Sequence, residues 1–184
     1  MKEHPILFKP DMIKAIRAGR KTQTRRVPVE RYRNWQVGDR IWVREAYGEE
    51  SVKILGKVKV LYDSDYGDIE REKLKERGYK KKPSIHMPRW ASRITLEITG
   101  LREEYVQDIS EEDAKAEGII STAEKLHLSH TQSIVHTYRW AFMILWDSIN
   151  KKRGYGWDAN PIAKVIEFKL IEKDSNFGHY FWPY

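Results

Sequence analysis

The chain of 184 residues carries 34 lysines and arginines against 27 acidic residues, a net charge of +7, and it contains no cysteine. Disulfides, thiolate nucleophiles and cysteine-ligated zinc are therefore excluded, and the basic balance favours polyanionic partners such as RNA. The length fits one domain over residues 1–184, and no apolar run approaches the ~18 residues of a membrane span. The first residues lack the apolar stretch of a signal peptide, so we expect a cytoplasmic protein that does not contact membranes.

The first predicted helix is followed by a basic, β-prone segment. Pro10 suits the first helical position, Met12, Ile13 and Ile16 form one apolar stripe, and Gly19 can end the helix. Residues 20–27 then form the basic segment. Lys21 and Thr24 are three positions apart, and because side chains alternate along a strand, a regular strand would place them on opposite faces. They converge if Lys21 precedes the strand in a turn, or if a bulge intervenes.

Alternation of apolar residues predicts the strands of the central and last parts of the chain. The alternating segments are residues 40–47, 92–99 and 162–171, with a hairpin over 52–62 that turns near Gly56. We expect these segments to join one curved sheet, because each has a single apolar face. The polar residues 64–82 between them are interpreted as an exposed excursion.

Two further helices have clear sequence signals. Ser110 can cap a helix whose first turn is acidic, and Gly118 can end it. Apolar spacing predicts the longest helix over residues 133–149. Five or six strands with three or four helices indicate the α+β class, as a small β-barrel or strongly curved, mostly antiparallel sheet with flanking helices.

The densest polar signal is residues 19–26, where seven of eight residues have side chains that can hydrogen-bond to phosphate, sugar or base edges. The alternative is a solvated basic strand. Trp42 and Arg44 share a strand face and can contact a base, although Trp42 can equally cover the core. His127 and His130 lack a third ligand nearby, so no metal site is predicted. The predicted contacts to substrate or nucleic acid are Arg20, Thr22, Arg25, Arg26, Trp42, Arg44 and His86.

Four segments together resemble the ASCH domain of the PUA-like β-barrel superfamily. They are Ala18-Gly19-Arg20-Lys21-Thr22-x-Thr24, Gly38-Asp39-x-x-Trp42-Val43, residues 108–118, and the closing strand 165–168. Residues 83–90, 145–150 and 157–161 add similarity to longer, phage-associated ASCH-like proteins. The resemblance implies a single ASCH domain with a PUA-like barrel and an insertion at about residues 49–89.

Small members of this family are N(4)-acetylcytidine amidohydrolases with a Lys, Thr and Glu triad, which matches Lys21, Thr24 and Glu117. The resemblance implies hydrolysis of an N-acylated modified nucleoside without metal or cofactor, with Thr24 as nucleophile, Lys21 as base and Glu117 as proton donor. Lys21 then needs a pKa lowered from about 10.4 toward 7 or 8, which neighbouring arginines favour.

A second function is compatible with the same residues. Glu117 is then an exposed helix residue and Lys21 a phosphate contact. The chain would be an RNA-binding PUA-like module without amidohydrolase activity, with ribonuclease activity as a further alternative. The partner is therefore RNA or a modified nucleoside, and the sequence indicates no oligomeric state.

Overall fold

The computed structural model describes residues 1–52, 57–76, 79–120, 137–173 and 180–181. Gly56, His127 and His130, to which parts of the sequence interpretation refer, lie outside these residues. The described strands are β1 (Glu3–Leu7), β2 (Gln23–Arg26), β3 (Arg40–Arg44), β4 (Tyr47–Val52), β5 (Lys57–Tyr62), β6 (Ile94–Tyr105), β7 (Ile162–Lys173) and β8 (Tyr180–Phe181). The described α-helices are α1 (Pro10–Arg17), α2 (Asp68–Glu76), α3 (Glu111–Ala116) and α4 (Tyr138–Asn150).

The predicted α+β class is confirmed. Five strands follow the hydrogen-bonded order β1-β3-β6-β7-β2, and three follow the order β4-β5-β8. β1 and β3 pair in parallel, whereas β3 with β6 and β2 with β7 pair antiparallel. In the residues described, β1 and β2 end the five-stranded order, so that sheet is open and not a closed barrel. None of the described helices has the length and apolarity of a membrane-spanning helix.

The chain divides into two compact units. The first comprises Met1–Arg17, Arg40–Glu97 and Leu170–Tyr184, and the second comprises Ala18–Asp39 and Ile98–Lys169. In the first unit, α1 buries Ile13 and Ile16 of its predicted stripe together with Ala15, whereas Met12 is half-buried. The inward side chains predicted for the segment 92–99 are confirmed, since Ile94, Leu96 and Ile98 are at most 1 % exposed.

The hairpin is confirmed, but one part of the sheet prediction was wrong. β4 and β5 pair from Tyr47 with Tyr62 to Val52 with Lys57, so the hairpin begins earlier than expected. It belongs to the three-stranded sheet and not to the sheet of β3, β6 and β7. The physical reason is a separate apolar cluster, in which the hairpin buries its own side chains. The cluster contains Tyr47, Val60, Tyr62, Met87 and Ala91.

The second unit positions the segment that carries the predicted site. β2 pairs with β7 from Gln23 with Glu167 to Arg26 with Lys164. The predicted cap is confirmed, because Ser110 Oγ accepts a hydrogen bond of 3.0 Å from the Asp113 N–H. The core of this unit packs α3 and α4 onto the strands. Its buried residues are Val27, Val106, Ile109, Ala114, Phe142, Trp146 and Ala163.

Candidate functional site

Lys21 lies two residues before β2 and two residues after Gly19, which turns the chain with φ +73°. Lys21 therefore precedes the regular strand, so alternation within β2 does not fix the direction of its side chain relative to that of Thr24. The side chain of Lys21 is fully buried. Its Nζ donates to Gln23 O at 3.0 Å, to Glu117 O at 2.9 Å and to Glu117 Oε2 at 2.6 Å. Three acceptors match the three protons of an ammonium group, so this geometry suits the charged form of the side chain.

Glu117 joins the end of α3 to the edge of β2. Its carboxylate accepts from Lys21 through Oε2 and from the Arg25 backbone N–H through Oε1 at 2.7 Å. The carboxylate therefore satisfies an edge donor of β2 that would otherwise need a neighbouring strand. The side chain of Glu117 is 5 % exposed, so the pair with Lys21 is a buried ion pair. Such a pair is stable only with well-formed additional hydrogen bonds, and here both partners have them.

The predicted RNA contact of Arg25 assumed that its side chain lies on an exposed strand face. The structure buries this side chain instead, and it is 0 % exposed. Nη2 lies 2.7 Å from Asp113 Oδ2, Nε donates to Glu104 Oε1 at 3.0 Å, and Nη1 lies 3.4 Å from Glu117 Oε1. Arg102 continues this network to Asp113 and to Glu104. Because carboxylates surround the guanidinium on several sides, Arg25 is withdrawn from solvent and from phosphate.

Burial is the main influence on the ionisation of Lys21. It lowers the pKa of the Lys21 ammonium, although the charge and hydrogen bond of Glu117 oppose this shift. Arg26 and Arg25 lower the pKa further, so the direction agrees with the sequence prediction while its main cause is desolvation. Asp113 shows the opposite balance. Partial burial favours its protonated form, but the hydrogen bond and charge of Arg25 hold the pKa of Asp113 below its usual range.

Thr24 is 2 % exposed and lies opposite Ile166 of β7. The N–H that binds Glu117 belongs to the next residue, so Thr24 connects to the ion pair through the backbone. The structure thus brings Lys21 and Glu117 into direct contact and holds Thr24 on the adjoining strand. The side chains of Lys21 and Glu117 are at most 5 % exposed, so substrate reaches them only if neighbouring groups move.

A cleft opens beside the segment that precedes β2. Its volume is about 530 Å³, within the range of small-molecule sites. Its wall carries two exposed cations, Arg20 and Lys115, and one aromatic ring, Tyr138. Lys115 Nζ lies 5.7 Å from the centroid of the Tyr138 ring. Arg20 and Thr22 were predicted from the motif, whereas Lys115 and Tyr138 were not, because only packing of α3 beside α4 brings them together.

The remaining predicted contacts lie elsewhere. Trp42, Arg44 and His86 belong to the first unit, whereas the cleft belongs to the second. Arg26 follows Arg25 on β2, and burial lowers the pKa of its guanidinium. The residues proposed from sequence as one site therefore belong to a buried ion network and a cleft in the second unit, and to a strand and a short segment in the first.

Glu45 is buried in the first unit, where an arginine compensates its charge. Arg93 binds it through Nε at 2.9 Å and Nη2 at 3.1 Å, and also binds Asp65 and Ser64. Arg93 carried no recognisable sequence signal, because its partners are distant along the chain. Among the residues that the structure describes, no group of three or more metal-ligating side chains is placed to hold a metal ion.

Solved structures that are similar to this chain include the following two. An ASCH domain from Lactobacillus crispatus JV V101 shares 13 % identity at a TM-score of 0.45, with 93 % of this chain and 79 % of that chain covered. A DUF984 protein from Enterococcus faecalis V583 shares 10 % identity at a TM-score of 0.44, with 87 % of this chain covered. This chain spans 66 % of the length of the Enterococcus protein. No model of a protein family and no curated protein matches the sequence.

Proposed function

We propose that this chain is an RNA-binding module whose second unit receives a nucleotide of unpaired RNA in the cleft. The observation that carries the proposal is the combination of Arg20, Lys115 and Tyr138 on one cleft wall. Exposed cations attract phosphate, and a tyrosine ring can stack on a base. The volume of about 530 Å³ accommodates a nucleotide-sized group. The net charge of +7 supports a polyanionic partner, and the motif around Lys21 resembles that of ASCH domains.

Binding of single-stranded RNA should weaken steeply as salt increases from about 50 to 200 mM, because phosphate contacts release counterions. Arg20→Ala and Lys115→Ala should each reduce the slope of log Kd against log salt by about one, the value for one lost phosphate contact. Fluorescence anisotropy with a labelled RNA measures this slope. Lys75→Ala is a matched control, since Lys75 is a lysine of α2 whose side chain is 61 % exposed outside the cleft. Equal slopes in all four proteins would show that the cleft cations do not contact phosphate.

A second candidate function is hydrolysis of an N-acylated nucleoside such as N(4)-acetylcytidine by Lys21, Thr24 and Glu117. The observation that favours it is the 2.6 Å contact between Lys21 Nζ and Glu117 Oε2, together with the lowered pKa of Lys21. A proton can pass along such a contact, which would leave a neutral amine as the base for the Thr24 hydroxyl. Burial of all three residues weighs against this candidate, because substrate would have to open the site. Release of acetate from the nucleoside tests it.

A further inference from the structure

The strand pair β1 and β3 of the first unit has one buried face and one face that carries aromatic and basic side chains. β1 and β3 pair in register, with Pro5 opposite Trp42 and Leu7 opposite Arg44. The intervening residues Ile6 and Val43 are paired and buried. Because successive side chains of a strand alternate between faces, Pro5, Leu7, Trp42 and Arg44 share the face away from the buried one.

The guanidinium of Arg44 is held beside the indole of Trp42. Its Cζ lies 5.3 Å from the centroid of the Trp42 ring, and Nη2 donates a hydrogen bond to the carbonyl of Ile85. The two flat groups are thus fixed relative to each other before any partner binds. A preformed pair of this kind loses little conformational entropy when a third flat group stacks on it.

A short segment runs along this face and adds another tryptophan. It is attached at Ile85 to Arg44, near the end of β3, and at Arg89 to Glu3, at the start of β1. The second attachment is bidentate, with Nε to Oε2 at 2.9 Å and Nη2 to Oε1 at 3.0 Å. Trp90 follows Arg89 directly, so the backbone that carries its indole is attached near the Glu3 end of the same face.

Large apolar side chains of the face and of its attached segment are exposed. Leu7 is 43 % exposed, Ile85 59 % and Trp90 48 %. A cluster of exposed apolar groups, rimmed by polar ones, is typical of an interaction surface. The charged residues on the face and its attached segment are Arg40, Arg44 and Arg89 against Glu3 and Glu97, so positive charge is in excess.

The geometry points to a second RNA-binding surface, the stacking face, defined by Leu7, Trp42, Arg44, Ile85 and Trp90. It receives unpaired bases of single-stranded RNA, because indole and guanidinium planes stack on every base whatever its sequence. The excess of arginine favours an anionic partner over a basic or neutral apolar one, and among anions RNA also supplies bases that can stack. The inference rests on the proposed function in that its partner is RNA, but the stacking face shares no residue with the cleft.

Two oligonucleotides of equal length and charge separate stacking from charge, one a single-stranded RNA and the other an abasic ribose-phosphate strand. Wild-type protein should bind the RNA at least about fivefold more tightly than the abasic strand. Trp90→Ala should reduce this difference and leave abasic binding unchanged. Arg44→Ala should weaken binding of both strands. Trp140→Ala is the matched control, because Trp140 is 38 % exposed on α4 and should leave both affinities at the wild-type value.

Three results would overturn the inference in distinguishable ways. RNA binding that depends on Arg20 and Lys115, but is equal in the Trp90 and Trp140 variants, would remove the stacking face and leave the cleft proposal standing. Failure of wild-type protein to bind RNA at low salt would remove both proposals. A Trp90→Ala variant that changes the sedimentation coefficient, with RNA affinity unchanged, would make the face a contact between copies of this chain.

Discussion

Glu117→Gln is expected to lower the free energy of unfolding by about 3 to 5 kcal/mol. The substitution keeps the size of the side chain but leaves the buried Lys21 ammonium without its compensating charge, and it weakens the acceptor of the Arg25 N–H. Urea unfolding at neutral pH measures the change. Exposed ion pairs contribute less than about 1 kcal/mol, so Glu72→Gln, in the exposed pair with Lys75, is the control.

A double variant tests whether the uncompensated charge of Lys21 causes the loss of stability in Glu117→Gln. Lys21→Met combined with Glu117→Gln leaves no buried lysine charge, so it should be more stable than Glu117→Gln alone. The ion-pair interpretation would fail if Glu117→Gln and Glu72→Gln had equally small effects. It would also fail if the change in unfolding free energy of the double variant equalled the sum of the changes caused by its two single substitutions.

The second large effect concerns the amidohydrolase candidate. If Thr24 is the nucleophile, Thr24→Val should reduce acetate release from N(4)-acetylcytidine by about a thousandfold or more, because the hydroxyl is lost while the shape is nearly kept. Thr24→Ser retains a hydroxyl and should retain measurable turnover. Both substitutions are made at a residue that is 2 % exposed, so the urea midpoint of each variant must accompany its rate.

The acetate-release assay is run on chelator-treated protein, because the candidate mechanism uses no metal. A parallel RNA-binding assay separates a loss of catalysis from a loss of binding. RNA affinity should be unchanged in Thr24→Val, since a buried hydroxyl contributes little to phosphate binding. A wild-type protein that releases no acetate from a panel of acylated nucleosides would contradict the amidohydrolase candidate. Equal rates in wild type and Thr24→Val would contradict the role of Thr24.

Sequence patterns over a few neighbouring residues predicted the elements that depend mainly on those residues. The alternation of Ile94, Leu96 and Ile98 predicted the buried face of β6, and Ser110 with its acidic turn predicted the start of α3. β1 escaped prediction, since Pro5 interrupts its strand pattern and its parallel partner β3 lies far along the chain. The separate sheet of the hairpin also depends on distant contacts.

The sequence predicted which residues carry the polar chemistry of the candidate site. It did not predict which of them are buried or which partners they bind. The motif around Lys21 indicated which segments carry polar chemistry. It did not indicate that Arg25 is buried, because a lone arginine in sequence is expected at the surface. Glu104, Asp113 and Glu117, which make its burial tolerable, lie 79 to 92 residues away. Arg93 in the first unit illustrates the same limit, since only folding brings Glu45 and Asp65 to it.

Hydrogen–deuterium exchange with and without a short single-stranded RNA tests the central claim most directly, because it locates the bound RNA on the chain. RNA binding in the cleft predicts slower exchange of backbone amides at residues 19–22 and 111–120 when RNA is present, and loss of that protection in the Arg20→Ala and Lys115→Ala variants. Protection that spares both segments, at RNA concentrations where anisotropy shows binding, would contradict the claim that the cleft receives the nucleotide.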